Sequence, residues 1–215
     1  MKEPKLREID ERAFLRRLTP ILGVYAAAME PPAEQLPGRH TIMERHTTYP
    51  GFRAFVAERP CSLPGLNGTV VGFAYGFHGA RGQWWHDVVH HALAERGGEE
   101  HAARWLDDPM EVAELHVHPD AQGHGLGRGL LGALCEGRPE RTVVLSTLER
   151  RPDTPARRLY RSVGMEDLLT DFEFPGAGRA TRSWAERSLW RRTRRSRSTR
   201  GRPAGRRPRA SRWTC

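Results

Sequence analysis

Between Val117 and Arg128 the chain reads Val-His-Pro-Asp-Ala-Gln-Gly-His-Gly-Leu-Gly-Arg, and a further glycine follows at 129. Glycines at 123, 125 and 127 let a backbone turn tightly with its N–H groups converging on one point. The flanks fix what this turn joins. Met110 to Val117 (MEVAELHV) has the composition of a strand, whereas Leu126, Leu130, Leu131 and Leu134 recur at helical spacing. A helix N-terminus thus follows a strand almost directly, and its positive end adds to a nest suited to a pyrophosphate. Spacing separates the known phosphate loops. No GxxxxGK[ST] occurs, which excludes the usual nucleotide P-loop. A dinucleotide fingerprint needs GxGxxG, whereas these glycines alternate.

What the run does match is Gln-x-x-Gly-x-Gly, at Gln122, Gly125 and Gly127, five residues after a strand valine. This resembles the coenzyme A pyrophosphate motif of the GNAT superfamily of N-acetyltransferases. A second block, Asp153-Thr-Pro-Ala156-Arg-Arg-Leu159-Tyr160 followed by Gly164-Met165, resembles the superfamily's Asn-x-x-Ala-x-x-Leu-Tyr and Gly-Phe. The blocks stand in the expected order with a strand between them, and the resemblance covers about residues 69 to 174. The departures are Asp153 for the usual Asn, which weakens an expected contact to the pantetheine arm, and Met165 for Phe, a tolerable core exchange.

The resemblance implies an α/β domain over residues 1–175, with the GNAT fold: a mixed, mostly antiparallel sheet flanked by helices and splayed at the fourth strand. It implies acetyl-CoA as co-substrate, no metal, and direct transfer of an acetyl group to an amine of a small molecule or a protein. The cofactor contacts carried over are Leu115, His116 and Val117 on the strand, Gln122, Gly123, His124, Gly125, Leu126, Gly127 and Arg128 at the turn, and Asp153. A catalytically inactive acyl-CoA-binding or sensor protein is the alternative.

Amine acylation needs a neutral amine, a stabilised oxyanion and a proton for the departing thiolate. Tyr160 falls where the superfamily often places a phenol that protonates the sulfur, a role suited to a group still protonated at neutral pH. For the base, Glu111 lies six residues before Val117, the spacing of the catalytic glutamate in the histone-acetylating branch, and Glu114 is its rival. Simple alternation puts Glu111 on the face of Leu115 and Val117 and Glu114 on the other, although the family's strand carries a bulge here that can reset the parity. His116 or a water chain could also serve. A solvated or salt-bridged carboxylate is the competing reading of both acids.

Elsewhere, Ala13 to Met29 has the spacing of an amphipathic helix ended by Pro31 and Pro32, and Pro37 to Glu58 reads as a loop and a second, shorter helix. Thr69 to Phe77 reads as a strand, Gln83 to Glu95 as a helix, and Arg96 to Ala103 as a loop. Val143 to Leu148 is a further strand, Thr154 to Val163 a helix ending at Gly164, and Leu168 to Phe174 a last strand.

Charge divides the chain. Of the net +9, residues 176–215 hold +13, from 14 arginines and one acid, which leaves the folded part at −4. This tail, from Gly176 on, cannot bury enough apolar surface to fold and is expected to be disordered. It reads either as a basic arm making non-specific nucleic-acid contacts or as the product of a frameshift near residue 177. The superfamily's final strand is not visible in it, yet Ala180 to Arg187, written in G+C-rich codons and read one base out of frame, gives the apolar His-Ala-Val-Met-Gly-Arg-Ala. Three scattered cysteines indicate neither disulfides nor zinc, and His86, His90 and His91 lack a further ligand at metal spacing. With no apolar span and no signal sequence, a cytoplasmic protein without a membrane partner is expected, and homodimerisation stays open.

Overall fold

The computed structural model describes residues 3–61, 68–149, 154–170, 172–175 and 186–193. Seven strands form one sheet: β1 (Lys5–Ile9), β2 (Arg53–Arg59), β3 (Thr69–His78), β4 (Pro109–Val117), β5 (Thr142–Glu149), β6 (Glu166–Asp167) and β7 (Glu186–Thr193), in the order β1-β2-β3-β4-β5-β7-β6. Only β4 and β5 run parallel; the other neighbours are antiparallel.

Helices cover both faces. On one side lie α1 (Glu11–Arg16), α2 (Leu18–Met29), α3 (Leu36–His46), α4 (Trp84–Gly97) and α5 (Glu99–Leu106); on the other lie α6 (Leu126–Cys135) and α7 (Pro155–Ser162). The face under α6 and α7 is built from Val71, Ala74, Met110, Val112, Leu130, Leu134, Leu145 and Tyr160. The opposite face is built from Phe14, Ile21, Met43, Phe73 and Tyr75, and beside them Val89, Leu93, Trp105 and Val144.

Local chemistry sets the boundaries. Asp10 caps α1 by accepting from the Ala13 N–H at 2.7 Å, and Thr154 caps α7 in the same way from Arg157, with Pro155 in the first turn. Gly164 then leaves α7 at φ 81°. Two bulges bend the sheet. One inserts Val71 into β3, since Ala57 pairs with Gly72 while Glu58 pairs with Val70; the other inserts Ala113 into β4, since Tyr75 pairs with Glu114 while Gly76 pairs with Val112.

Several sequence expectations are corrected here. The expected first helix is broken at Arg17 into α1 and α2. The second helix ends at His46, and Arg53–Arg59 is a strand whose Ala54 to Ala57 are all buried between two helical layers, so alternation gives no signal. The loop expected at Arg96–Ala103 contains most of α5, capped by Gly98 at φ 83°. The described residues of 168–174 show only an isolated bridge at Phe172 where a strand is expected: β6 is Glu166–Asp167, and Leu169 and Phe174 are buried against α4 and α5.

The final strand that is not visible in the sequence is present as β7, paired over its whole length with β5. The open edge of β5 offers a ladder of backbone donors and acceptors that β7 takes up irrespective of its arginines. The rest of the expected disordered tail, 176–185 and 194–215, lies outside the described residues.

Candidate functional site

The site begins where the sheet parts. The β4–β5 ladder has only three residue pairs, Pro109–Thr142, Met110–Val143 and Glu111–Val144. Beyond them β4 stays with β3 as far as Val117–Gly72, while β5 stays with β7. From residue 112 onward, the β4 backbone groups that face away from β3 have no β5 partner. Such an edge can take the amides of an extended ligand as if they were another strand.

The glycine turn stands at the mouth of this opening. Pro119–Ala121 makes a short 3-10 turn, and Gln122 Nε2 donates to the Val117 carbonyl at 2.9 Å, tying the turn to the end of β4. Gly123 at φ 82° and Gly125 at φ 76° hold left-handed backbone that other residues resist. Gly125 is the N-cap of α6, so the N–H groups of Leu126, Gly127 and Arg128 lie in a first turn without intrahelical partners. Gln122, His124 and Arg128 are exposed, and Arg128 Nη2 reaches Ser162 Oγ on α7 at 2.6 Å. A left-handed turn, a helix N-terminus and an arginine together form a donor set that fits a pyrophosphate. Gly127 lies beside Leu159, whose Cδ2 a Cβ there would meet at an ordinary contact distance of 3.4 Å.

The Ala113 bulge decides which side chains meet. Leu115 and Val117 pack on the α6 face, whereas Ala113, Glu114 and His116 turn to the α2–α3 face. Met110 and Val112 both belong to the α6 face, so Glu111 between them shares the α2–α3 face with Glu114. Simple alternation put the two acids on opposite faces; the extra residue brings them to one.

Their surroundings nevertheless differ. Glu111 sits at the closed end of the opening, paired through its backbone to both Phe77 and Val144, is 4% exposed, and has an Oε2 without a hydrogen-bond partner. Burial pushes its carboxyl up to about 8. Glu114 lies along the parted stretch with His116 Nε2 at 2.5 Å and Arg39 Nη1 at 2.8 Å. Burial alone would raise this carboxyl, but the His116 hydrogen bond and the His116 and Arg39 charges outweigh it and hold the group below the ordinary range. Near neutral pH, therefore, Glu114 is the carboxylate and Glu111 the neutral acid.

Around Glu114 the sheet and helices place a set of polar rings. Tyr25 of α2 meets His116 edge-on at 5.3 Å, and the Arg39 guanidinium lies 5.1 Å from the Tyr25 ring centre. Tyr75, the cross-strand partner of Glu114, has its hydroxyl 3.0 Å from His46 Nδ1. Burial drives the Tyr75 phenol well above its usual range and His46 down to about 4, so both are neutral. Tyr160, on α7, is 5% exposed, and burial, then the Glu114 charge, push its phenol upward. Asp153 lies outside the described residues.

Arg39, His46, Tyr25 and Tyr75 were not singled out in the sequence. The available signal was that Arg39 and His46, seven residues apart, share one face of α3. Of the α4 histidines, His86 is held by Asp87 at 3.2 Å and the Leu106 carbonyl at 2.9 Å, and no group of three or more metal-type side chains occurs among the described residues. No helix among the described residues is long and apolar enough to cross a membrane.

Comparison with known proteins accords with this geometry. Residues 50–166 match the family model for an acetyltransferase (GNAT) domain. The chain is 36% identical to the GCN5-like protein acetyltransferase Rv2170 of Mycobacterium tuberculosis, over 77% of this chain and 88% of that protein. Two solved structures share the fold at low identity. YncA of Salmonella typhimurium with its cofactor acetyl-CoA is 19% identical, with TM-score 0.53 over 89% of this chain and 94% of that one. Arabidopsis thaliana NAA60 in complex with a bisubstrate analogue is 15% identical, with TM-score 0.57 over 88% and 98%. With its parted strands, its glycine turn and these matches, the chain belongs to the GNAT family of acetyltransferases.

Proposed function

We propose that this acetyltransferase moves an acetyl group from acetyl-CoA directly to a primary amine of a small molecule or a protein. The observation that carries the reading is the pairing of an ionised Glu114 with His116 along the parted stretch of β4, beside a turn built for a pyrophosphate. Acetyl-CoA supplies the activated thioester and a thiol leaving group. Gly123, Gly125 and the first turn of α6, flanked by Arg128, hold the pyrophosphate, and the backbone of Leu115 to Val117 lines up the pantetheine arm. The Glu114–His116 pair takes a proton from the acceptor amine, and Tyr160, kept protonated by burial, gives one to the departing sulfur. In this reading Glu114 is preferred to Glu111 as the base, because Glu114 is the ionised carboxylate while burial holds Glu111 largely protonated. The relative described as a protein acetyltransferase favours a protein amine among acceptors.

The test is thiol release from acetyl-CoA over a panel of amines and lysine peptides, with wild type and Glu114→Gln. Wild type is expected to acetylate at least one acceptor, and the variant to lose about a hundredfold or more in kcat/KM while binding coenzyme A normally. An unchanged rate in the variant would refute the base assignment. Coenzyme A binding without turnover of any acceptor would favour a sensor protein instead.

A further inference from the structure

The charge around Glu114 is already matched. Arg39 Nη1 contacts its Oε1 at 2.8 Å, and the guanidinium is fixed there by lying over Tyr25, whose ring abuts His116. The Arg39 side chain is 32% exposed, so its charge is felt by whatever approaches the pair from solvent. Among the described residues, the other groups facing Glu114 bring no further anion: Tyr75 and His46 are neutral, and so is Glu111 at the closed end. On α3, Glu44 is exposed and lies 3.9 Å from His40, away from the buried pair.

An acceptor amine must reach Glu114–His116 next to this fixed cation. An acceptor bearing a second ammonium near the first meets Arg39 and finds no spare carboxylate among the described residues. Resting on the acetyl-transfer reading above, we propose that Arg39 determines acceptor specificity, admitting primary amines without a second cation close to the reacting nitrogen and disfavouring polyamines. Once the acceptor's proton has passed to Glu114 the Arg39 charge is no longer offset, and two unit charges about 7 Å apart in such a partly buried setting repel enough, after screening, for discrimination on the order of tenfold.

The experiment compares matched acceptors at one pH with acetyl-CoA: pentylamine against 1,5-diaminopentane, and a lysine peptide with neutral neighbours against the same peptide with flanking arginines. The first pair asks about small molecules and the second about proteins. The readout is the ratio of kcat/KM within each pair, corrected for the two equivalent nitrogens of the diamine. A defect in the base lowers both members alike and leaves this ratio unmoved. Wild type should favour the singly charged member about tenfold, less at high salt. The ratio should approach one in Arg39→Gln and persist in Arg39→Lys, and the salt dependence tests the same point in wild type alone.

The proposal is overturned if wild type uses the doubly charged member as well or better, or if Arg39→Gln leaves the ratio unchanged. Thiol release with none of these acceptors would instead sink the acetyl-transfer reading, and this specificity with it.

Discussion

Replacing Glu111 by Gln tests the assignment of the two acids through stability, independently of any substrate. In the folded protein this carboxyl stays protonated up to about 8, whereas in the unfolded chain it ionises near 4.5. Between those values unfolding releases a proton, the unfolded state binds fewer protons than the native one, and stability falls as pH rises. Each unit of that window is worth about 1.4 kcal/mol, so the burial of Glu111 costs about 4 kcal/mol of stability between pH 5 and pH 8. Glutamine keeps the shape and stays neutral at every pH, so the variant escapes this loss, and all other titrating groups cancel between the two proteins. Urea denaturation of both at pH 5, 6, 7 and 8 measures the difference. The wild type should lose ground to Glu111→Gln progressively, by about 4 kcal/mol in total. Parallel curves across the range would mean that Glu111 is charged in the fold, and the argument that sets it apart from Glu114 would fail.

Two further outcomes are expected. A Cβ at Gly76 would lie 2.2 Å from the Glu111 carbonyl oxygen and 2.6 Å from Met110 Cε, so Gly76→Ala should lose about 3 kcal/mol, read as a drop in Tm; a variant as stable as wild type would contradict the close β3–β4 approach at the bulge. Tyr160→Phe should lower kcat about tenfold to a hundredfold with coenzyme A affinity retained, and an unchanged kcat in single-turnover assays would remove Tyr160 from the chemistry.

What the sequence revealed and what it hid have physical causes. The glycine turn was legible because its conformation can be met by few residues, and β3, β4 and α6 because their periodicities are long and clean. β2 was hidden because burial on both faces erases alternation, and α5 because Gly97 and Gly98 imitate a loop while only capping a helix. The relation between Glu111 and Glu114 was half legible, since the resemblance carries a bulge that can reset the parity but not its position. It turns on one extra residue, Ala113, which no composition rule announces, and on Arg39, which is 75 positions away from its partner. Long-range ion pairs of this kind are set by packing, so the residues that tune the site were the ones least visible beforehand.

The short β4–β5 ladder has a mechanical meaning as well. Three residue pairs are all that stitch β1–β4 to β5–β7 within the sheet, so the domain is two blades joined at a seam that unzips toward the site. A ligand lying along the free edge of β4 serves as the missing stitching, and its grip and the cohesion of the two blades become one thermodynamic quantity. At a hundred times its Kd such a ligand adds about 2.7 kcal/mol to the fold. A protein joined in this way would be sturdier when such a ligand is abundant than when it is scarce.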